Sequence, residues 1–189
     1  MNGIILASGF STRMGKNKLL MKINNEEIIS RVIKEVKKSN ISNIILVARE
    51  KTILDIGKLE NVKVVENKEA YLGQSSSIKI GINNSNIDED FMFFCGDQPF
   101  IDFKSINKLI EASKKARESI IIPKVNEKTG SPVIFSKIYK KDLGLLTGDI
   151  GGREVIRKNK EKVVYVEIMN PLFLEDVDTN EDYIKLSKI

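Results

Sequence analysis

"GIILASGFSTRMGKNK", residues 3–18, runs from an apolar segment into a loop of glycine, hydroxyl and cationic residues. Residues 2–7 read as a fully buried strand, because the run is short, continuous and closed by turn-forming residues. Gly9 and its small hydroxyl neighbours let successive backbone N–H groups converge on an anion, and Arg13 and Lys18 add full charges. A phosphate chain is the occupant that this chemistry selects, and the alternative is a plain turn with surface cations. The spacing matches neither G-x-x-x-x-G-K-[ST] nor G-x-G-x-x-G, so the P-loop and the dinucleotide fingerprint both fail.

Outward from this stretch, strand-like runs alternate with helix-period segments. Asn25 is placed to cap a helix beginning at Glu26 and Glu27, with Ile28, Ile29, Val32, Ile33 and Val36 on its apolar face. Strands are expected over 43–48, 62–66, 90–95, 119–123 and 163–168, and helices over 74–82 and 103–116. Thr179 with Asp182 has the spacing of a capping pair that opens a last short helix. This alternation predicts βαβ units, hence a single-domain three-layer α/β/α fold with a mostly parallel, Rossmann-like sheet over residues 1–189. Residues 124–152 break the rhythm with turn signals, as expected of a stretch that shapes a ligand pocket.

Composition removes whole classes of chemistry. The chain of 189 residues contains no histidine, which excludes Ser-His-Asp and Cys-His catalysis and histidine-ligated metals. A single cysteine, Cys95, excludes an internal disulfide and reads as a small buried residue in "FMFFCGD". The net charge of +5 is spread along the chain, without the basic stripe or interleaved aromatics of a nucleic-acid binder. No apolar stretch approaches the roughly 20 residues that span a bilayer, and no basic leader precedes the first strand. A reduced, cytoplasmic protein that engages neither membrane nor nucleic acid is expected.

Ligands of open α/β sheets bind beyond the carboxyl ends of the strands. Asp97 follows an apolar strand between Gly96 and Gln98-Pro99, where an unpaired carboxylate is costly to bury. With phosphates nearby, a magnesium ion bridging carboxylate and phosphate oxygens satisfies it. Asp178, after the apolar "PLFLE" segment, is the second candidate ligand; the alternative is a part in starting the last helix.

These motifs carry a family resemblance. "LASGFSTRMGKNK" is similar to the L-A-x-G-x-S-x-R-M-G-x-x-K signature of nucleotidyltransferases of the molybdenum cofactor type. "NKEAYLGQSSSIKIGI", "FFCGDQPFI", "TGSPVIF", "LTGDIGGREVIRKN" and "LEDVDTNEDY" resemble further family segments, in the same order. The branch resembled most is the molybdenum cofactor cytidylyltransferases, within the MobA-like superfamily and the nucleotide-diphospho-sugar transferase type of fold. The resemblance implies that Leu6, Ala7, Ser8 and Gly9 lie against base and phosphates, with Arg13 and Lys18 on the triphosphate. Gly73, Gln74, Ser75, Ser76 and Ser77 would line the base and ribose pocket, with Asn67 at its side. Asp97 and Asp178 would hold Mg2+. Ser131, Asp149 and Arg153 would face the pterin acceptor, although Arg153 equally suits a helix start paired with a carboxylate.

Two residues depart from the family pattern. Ser8 stands where cytidylyl members have Ala and guanylyl members Gly, and its bulk favours cytosine. Ser131 replaces a histidine, which bears on the acceptor more than on the transfer chemistry. The implied reaction moves CMP from CTP to the phosphate of a molybdopterin-type substrate and releases pyrophosphate, with Arg13, Lys18 and Asp97 as the catalytic set. Residues 1–100 would form the nucleotide-binding half and 101–189 the acceptor half, with a molybdenum hydroxylase apoenzyme as a partner. The alternatives are guanylyl or sugar-phosphate transfer on the same fold, and a non-catalytic chaperone that delivers the cofactor.

Overall fold

Parallel pairing on both sides of the first strand sets the architecture. A computed structural model describes residues 1–12 and 14–189, so the expectation attached to Arg13 lies outside the described residues. In chain order, β1 (Asn2–Ala7) leads to the hairpin β2 (Lys22–Ile23) and β3 (Glu26–Glu27), then α1 (Ile28–Lys38) and β4 (Asn43–Ala48). Next come α2 (Lys51–Leu59), β5 (Lys63–Glu66), α3 (Gln74–Asn83), β6 (Phe91–Cys95), α4 (Phe103–Lys115) and β7 (Ile120–Val125). The chain closes with β8 (Lys128–Thr129), β9 (Val133–Phe135), α5 (Lys140–Gly144), α6 (Arg153–Lys158), β10 (Val163–Glu167) and α7 (Asn180–Leu186).

Across the main sheet the order is β10-β7-β9-β6-β1-β4-β5, with β8 paired to β7. β1 is parallel to β4 and β6, β4 to β5, and β10 to β7. Successive residues of β1 point to opposite faces. Ile5 joins a core with α1, α2 and α4, and Ile4 joins a second core with α3, α5 and α6. Each aliphatic buried this completely contributes about 1.5–3 kcal/mol. The three-layer α/β/α arrangement follows from that two-sided burial. Among the described residues, no helix is long and apolar enough to cross a membrane.

Register then positions the chemistry. Ala7 pairs with Ala48, and Leu6 with both Val47 and Cys95, so β1, β4 and β6 end almost level. Gly96 donates its N–H to Leu6 O at 3.0 Å, and Asn67 donates to Ala48 O at 2.8 Å. The residues that follow β1, β4, β5 and β6 therefore emerge at one end of the strands.

Three local expectations are corrected. Asn25 does not cap a helix: Asn24 and Asn25 have φ of 52° and 65°, and form the two-residue loop between β2 and β3. Paired left-handed residues suit such a tight hairpin turn, and asparagine tolerates that conformation. Helix α1 accordingly starts at Ile28, with Glu27 in the cap position and no side-chain cap bond. Helix α2 is absent from the sequence pattern because its buried stripe is thin, with Ile53 and Gly57 as its buried residues. The irregular stretch 124–152 also builds the sheet, since β9 inserts antiparallel between β6 and β7 through Phe135, which pairs with both Phe91 and Ile120.

Helix α4 depends on its cap. Asp102 accepts from Ser105 N at 2.8 Å, from Ser105 Oγ at 2.8 Å and from Asn170 Nδ2 at 2.9 Å. Burial pushes this carboxyl up, but the hydrogen bonds outweigh burial and hold it below its ordinary value of 3.8. A carboxylate depressed in the folded state stabilises above its unfolded pKa, and that contribution is lost as pH falls through the folded value. Asp102→Ala should lower stability by about 1–2 kcal/mol at neutral pH. Urea unfolding at pH 7 and at pH 3 checks this, with a gap to the wild type that narrows at the acid end.

Candidate active site

At the level strand ends lies a cleft of about 630 Å³ whose walls include residues 6–12, Lys18, Tyr71, Gly73, Asp97 and Asp178. Leu6, Ala7, Ser8 and Gly9 thus lie in its wall, and Gln74, Ser77 and Asp149 border it as well. Its floor carries an ion-pair cluster. Lys18 Nζ lies 2.6 Å from Asp97 Oδ2 and 2.7 Å from Asp178 Oδ1. The ammonium and the Asp97 carboxylate are mostly buried, at 14% and 19% exposure. Burial lowers the lysine's pKa, but attraction to Asp97 and hydrogen bonds to both carboxylates prevail and hold it above its ordinary value. Val177 donates its N–H to Asp97 O at 3.1 Å, which seats the 176–178 segment beside the end of β6. Asp176 also belongs to this acidic group: burial first, then the charges of Asp97 and Asp178, push its carboxyl up.

Lys18, expected on the triphosphate, is paired here with the two carboxylates. An ammonium this far from water needs counter-charge, and the two aspartates supply it. Asp178 lies with Asp97 rather than acting as a helix cap; that role belongs to Thr179, whose side chain accepts from Asp182 N while the Asp182 carboxylate accepts from Thr179 N. Among the described residues no third histidine, cysteine, aspartate or glutamate completes a closed metal set. Two hard carboxylate oxygens directed at one cation suit magnesium, which binds through one or two carboxylates together with substrate phosphates.

The loop after β1 is fastened to β4. Ser8 donates its hydroxyl to Val47 O at 3.2 Å, and Asn17 donates to the Glu50 carboxylate. The left-handed positions in this loop are Ser11 and Gly15, with φ of 50° and 65°, rather than Gly9. A Cβ at Gly9 would meet no protein atom within 4 Å. The smallness of Gly9 therefore leaves room for a ligand, not for a protein neighbour.

On the β5 side, Gly73 is required by the backbone. It has φ of 88° and ψ of −173°, a region essentially restricted to glycine. A Cβ there would also come within 2.5 Å of Asp149 N. This close approach lets Gln74 donate its N–H to Asp149 Oδ1 at 3.1 Å. The serine run divides. Ser77 borders the cleft, whereas Ser75 and Ser76 are buried at its back. Asn67, expected at the side of the pocket, is buried and donates to Ser76 Oγ and Ser77 Oγ, both at 2.9 Å. Its amide braces the serines from behind because both of its N–H groups are engaged there.

On the β6 side, Cys95 lines the cleft instead of being sealed in the core. Burial above all, with the Asp97 charge, pushes its thiol up to about 12, so it stays protonated. Cys95 Sγ donates to Ser131 Oγ at 3.3 Å, and Gln98 donates to Ser131 O at 3.2 Å. Ser131 thus stands behind Cys95, outside the cleft lining. Arg153 is exposed at the start of α6 and does not border the cleft, which meets the helix-start alternative in position, while the carboxylate Glu154 beside it pairs with Arg157 and Lys158. Phe10 and Tyr71 border the cleft although the sequence reading assigns neither a role. Position was the available signal, because each adjoins a motif that was read.

Comparisons with known proteins agree with this architecture. The family model described as the MobA-like NTP transferase domain matches residues 3–163. A protein of Natranaerobius thermophilus named probable molybdenum cofactor guanylyltransferase is 31% identical over 126 residues, 66% of this chain and 60% of that protein. The chain thus matches less than two thirds of that relative's length. Purine catabolism protein PucB of Bacillus subtilis is 26% identical over 193 residues, covering 96% of this chain and 93% of PucB. The crystal structure of Rv0371C in complex with manganese, from Mycobacterium tuberculosis H37Rv, has the same fold: TM-score 0.81, 21% identity, and 99% and 97% of the two chains covered.

The two glycines separate backbone need from ligand space. Gly73→Ala should cost about 1–3 kcal/mol through strain and displacement of the 148–149 loop. Gly9→Ala should leave stability within about 0.5 kcal/mol of the wild type. Urea midpoints of the two variants, measured side by side, decide it.

Proposed function

The chain belongs to the MobA-like NTP transferase family, and we propose that within it the protein is a magnesium-dependent cytidylyltransferase acting on a molybdopterin-type phosphate. The observation that carries this reading is the convergence of Lys18, Asp97 and Asp178 in a cleft that the Gly9 loop also lines. The reaction is in-line attack by a phosphate monoester oxygen on the α-phosphorus of CTP, with pyrophosphate as the leaving group. A phosphate monoester has its second pKa near about 6 and is largely dianionic at neutral pH. The nucleophile therefore needs no general base, which suits a chain without histidine.

What remains is charge repulsion and alignment. Asp97 and Asp178 would hold the magnesium ion, which when bound supplies neutralisation of charge at the phosphate oxygens. The manganese complex of Rv0371C supports a divalent cation in this fold. Lys18 stays protonated and is within reach of the cleft, so a triphosphate offers its ammonium an alternative anionic partner. Arg13 is assigned to the same triphosphate on the family pattern. Gly73, Gln74 and Ser77 are assigned to the base and ribose, with Ser75, Ser76 and Asn67 supporting them from within. Asp149 and Ser131 are assigned to the acceptor side, and Arg153 acts there only if its side chain reaches across the loop. Residues 1–100 bind the nucleotide and 101–189 the acceptor, with Asp149 and Asp178 reaching back into the nucleotide cleft. A molybdenum hydroxylase apoenzyme is the recipient in this reading.

Base choice rests on Ser8. Its hydroxyl is engaged with Val47 O, so the residue offers an alanine-like surface to the cleft, and this supports cytosine. The second reading is guanylyl transfer, favoured by the name of the Natranaerobius relative. Pyrophosphate release with CTP, GTP and UTP, each paired with molybdopterin or a sugar 1-phosphate, separates the two. The expected result is turnover with CTP and molybdopterin; turnover with GTP favours the second reading. Nucleotide binding without any turnover in magnesium contradicts both and indicates a delivery protein. Lys18→Ala and Asp97→Ala should each lower turnover by about two orders of magnitude or more while circular dichroism reports a folded chain. Unchanged rates in both variants would remove these assignments.

A further inference from the structure

Among the described residues the exposed large aromatics are Phe10, Tyr71 and Tyr165, and the first two border the candidate active cleft. Phe10 is 51% exposed although it sits in a loop held at both ends. One face of its ring is covered: the Arg49 guanidinium carbon lies 4.4 Å from the ring centroid. Arg49 directly follows β4, level with the start of the loop, because Ala7 and Ala48 are register partners. Its Nε–H is buried and has no hydrogen-bond partner. A buried donor left unpaired is uncommon and calls for a reason. Stacking on Phe10 supplies one, since a guanidinium plane sits well against an aromatic face. The arrangement holds the ring at the cleft wall with about half of its surface uncovered.

We propose that Phe10, held by Arg49, is the stacking wall for the nucleobase. This inference rests on the nucleotidyl-transfer reading above and names a contact that the family motifs leave unassigned. Two planar groups occur in that reaction, the base and the pterin, and the sheet order separates them. Phe10 is tied to the β4 side of β1, whereas Asp97, Cys95 and Ser131 lie on the β6 side, where the acceptor is placed. The base is therefore the planar group that Phe10 meets. An aromatic face is tolerant of base identity, so the contact adds affinity for nucleotides while discrimination stays with the residues around Ser8 and Gly73. Phe10 is the binding residue, and Arg49 is a positioning residue that acts through it.

The test compares ligands that share phosphates but differ in the base. Calorimetric binding of CTP, GTP and inorganic tripolyphosphate in magnesium is measured for the wild type, Phe10→Ala, Phe10→Trp and Arg49→Ala, with molybdopterin as a further ligand. Phe10→Ala should weaken CTP and GTP by about tenfold and leave tripolyphosphate and molybdopterin unchanged. Phe10→Trp should bind CTP at least as tightly as the wild type, and Arg49→Ala should weaken CTP by about threefold, again without change for tripolyphosphate. Wild-type CTP affinity in Phe10→Ala overturns the proposal, as does an equal loss for tripolyphosphate, which marks a purely structural loop residue. A loss confined to molybdopterin overturns the assignment to the base. A wild-type protein that binds tripolyphosphate but no nucleoside triphosphate overturns the nucleotidyl-transfer reading itself, and this inference with it.

Discussion

A single ammonium joins three parts of the chain that are far apart in sequence. Lys18 comes from the loop after β1, Asp97 from the end of β6, and Asp178 from the segment before α7. Their meeting depends on a backbone condition, the parallel register that ends β1, β4 and β6 at one level. The side chains then add an electrostatic condition, because a mostly buried lysine and a mostly buried aspartate are tolerable together and costly apart. Removing one partner of such a pair typically costs about 3–5 kcal/mol, more than the pair itself contributes. The cluster is therefore weak evidence of a stabilising device. It is better understood as a site in which one cation has already been brought to two carboxylates.

The same register explains how the loop after β1 keeps its shape. Ser8 is bonded to Val47, Phe10 is stacked on Arg49, and Asn17 is bonded to Glu50, so residues 47–50 hold the loop along its length. The opposite wall is held by a different device. Gly73 permits the backbone of Gly148 and Asp149 to approach, and Asn67 locks the serines of α3 from behind. One wall is built by side-chain ties and the other by backbone contact.

Much of this was legible in the sequence, and the gaps have physical causes. Strands β1, β4 and β6 were readable because each is a continuous apolar run buried on both faces. Asp97 stood out because a carboxylate at the end of an apolar strand is costly to bury unpaired, and Asp178 because it follows the apolar "PLFLE" segment, which the structure forms as turns. Asn25 misled because asparagine serves equally at helix caps and in left-handed turns, and only the pairing of β2 with β3 decides between them. The antiparallel entry of β9 depends on contacts made across the sheet, which periodicity along the chain does not report. Asn67 and Ser76 were identified as polar residues near a pocket, but their direction is set by hydrogen bonds to each other rather than toward the opening. Arg49 was invisible for a similar reason, since its role arises from a loop neighbour thirty-nine positions earlier.

The central claim is that the carboxylates now paired with Lys18 form a metal position that works together with phosphates in the same cleft. A crystal structure with a non-hydrolysable CTP analogue and magnesium tests it directly. The account predicts metal density between Asp97 and Asp178, with the Lys18 ammonium moved onto a phosphate oxygen. Metal bound elsewhere, with Lys18 still clasped by both aspartates and the phosphates outside the cleft, would contradict it.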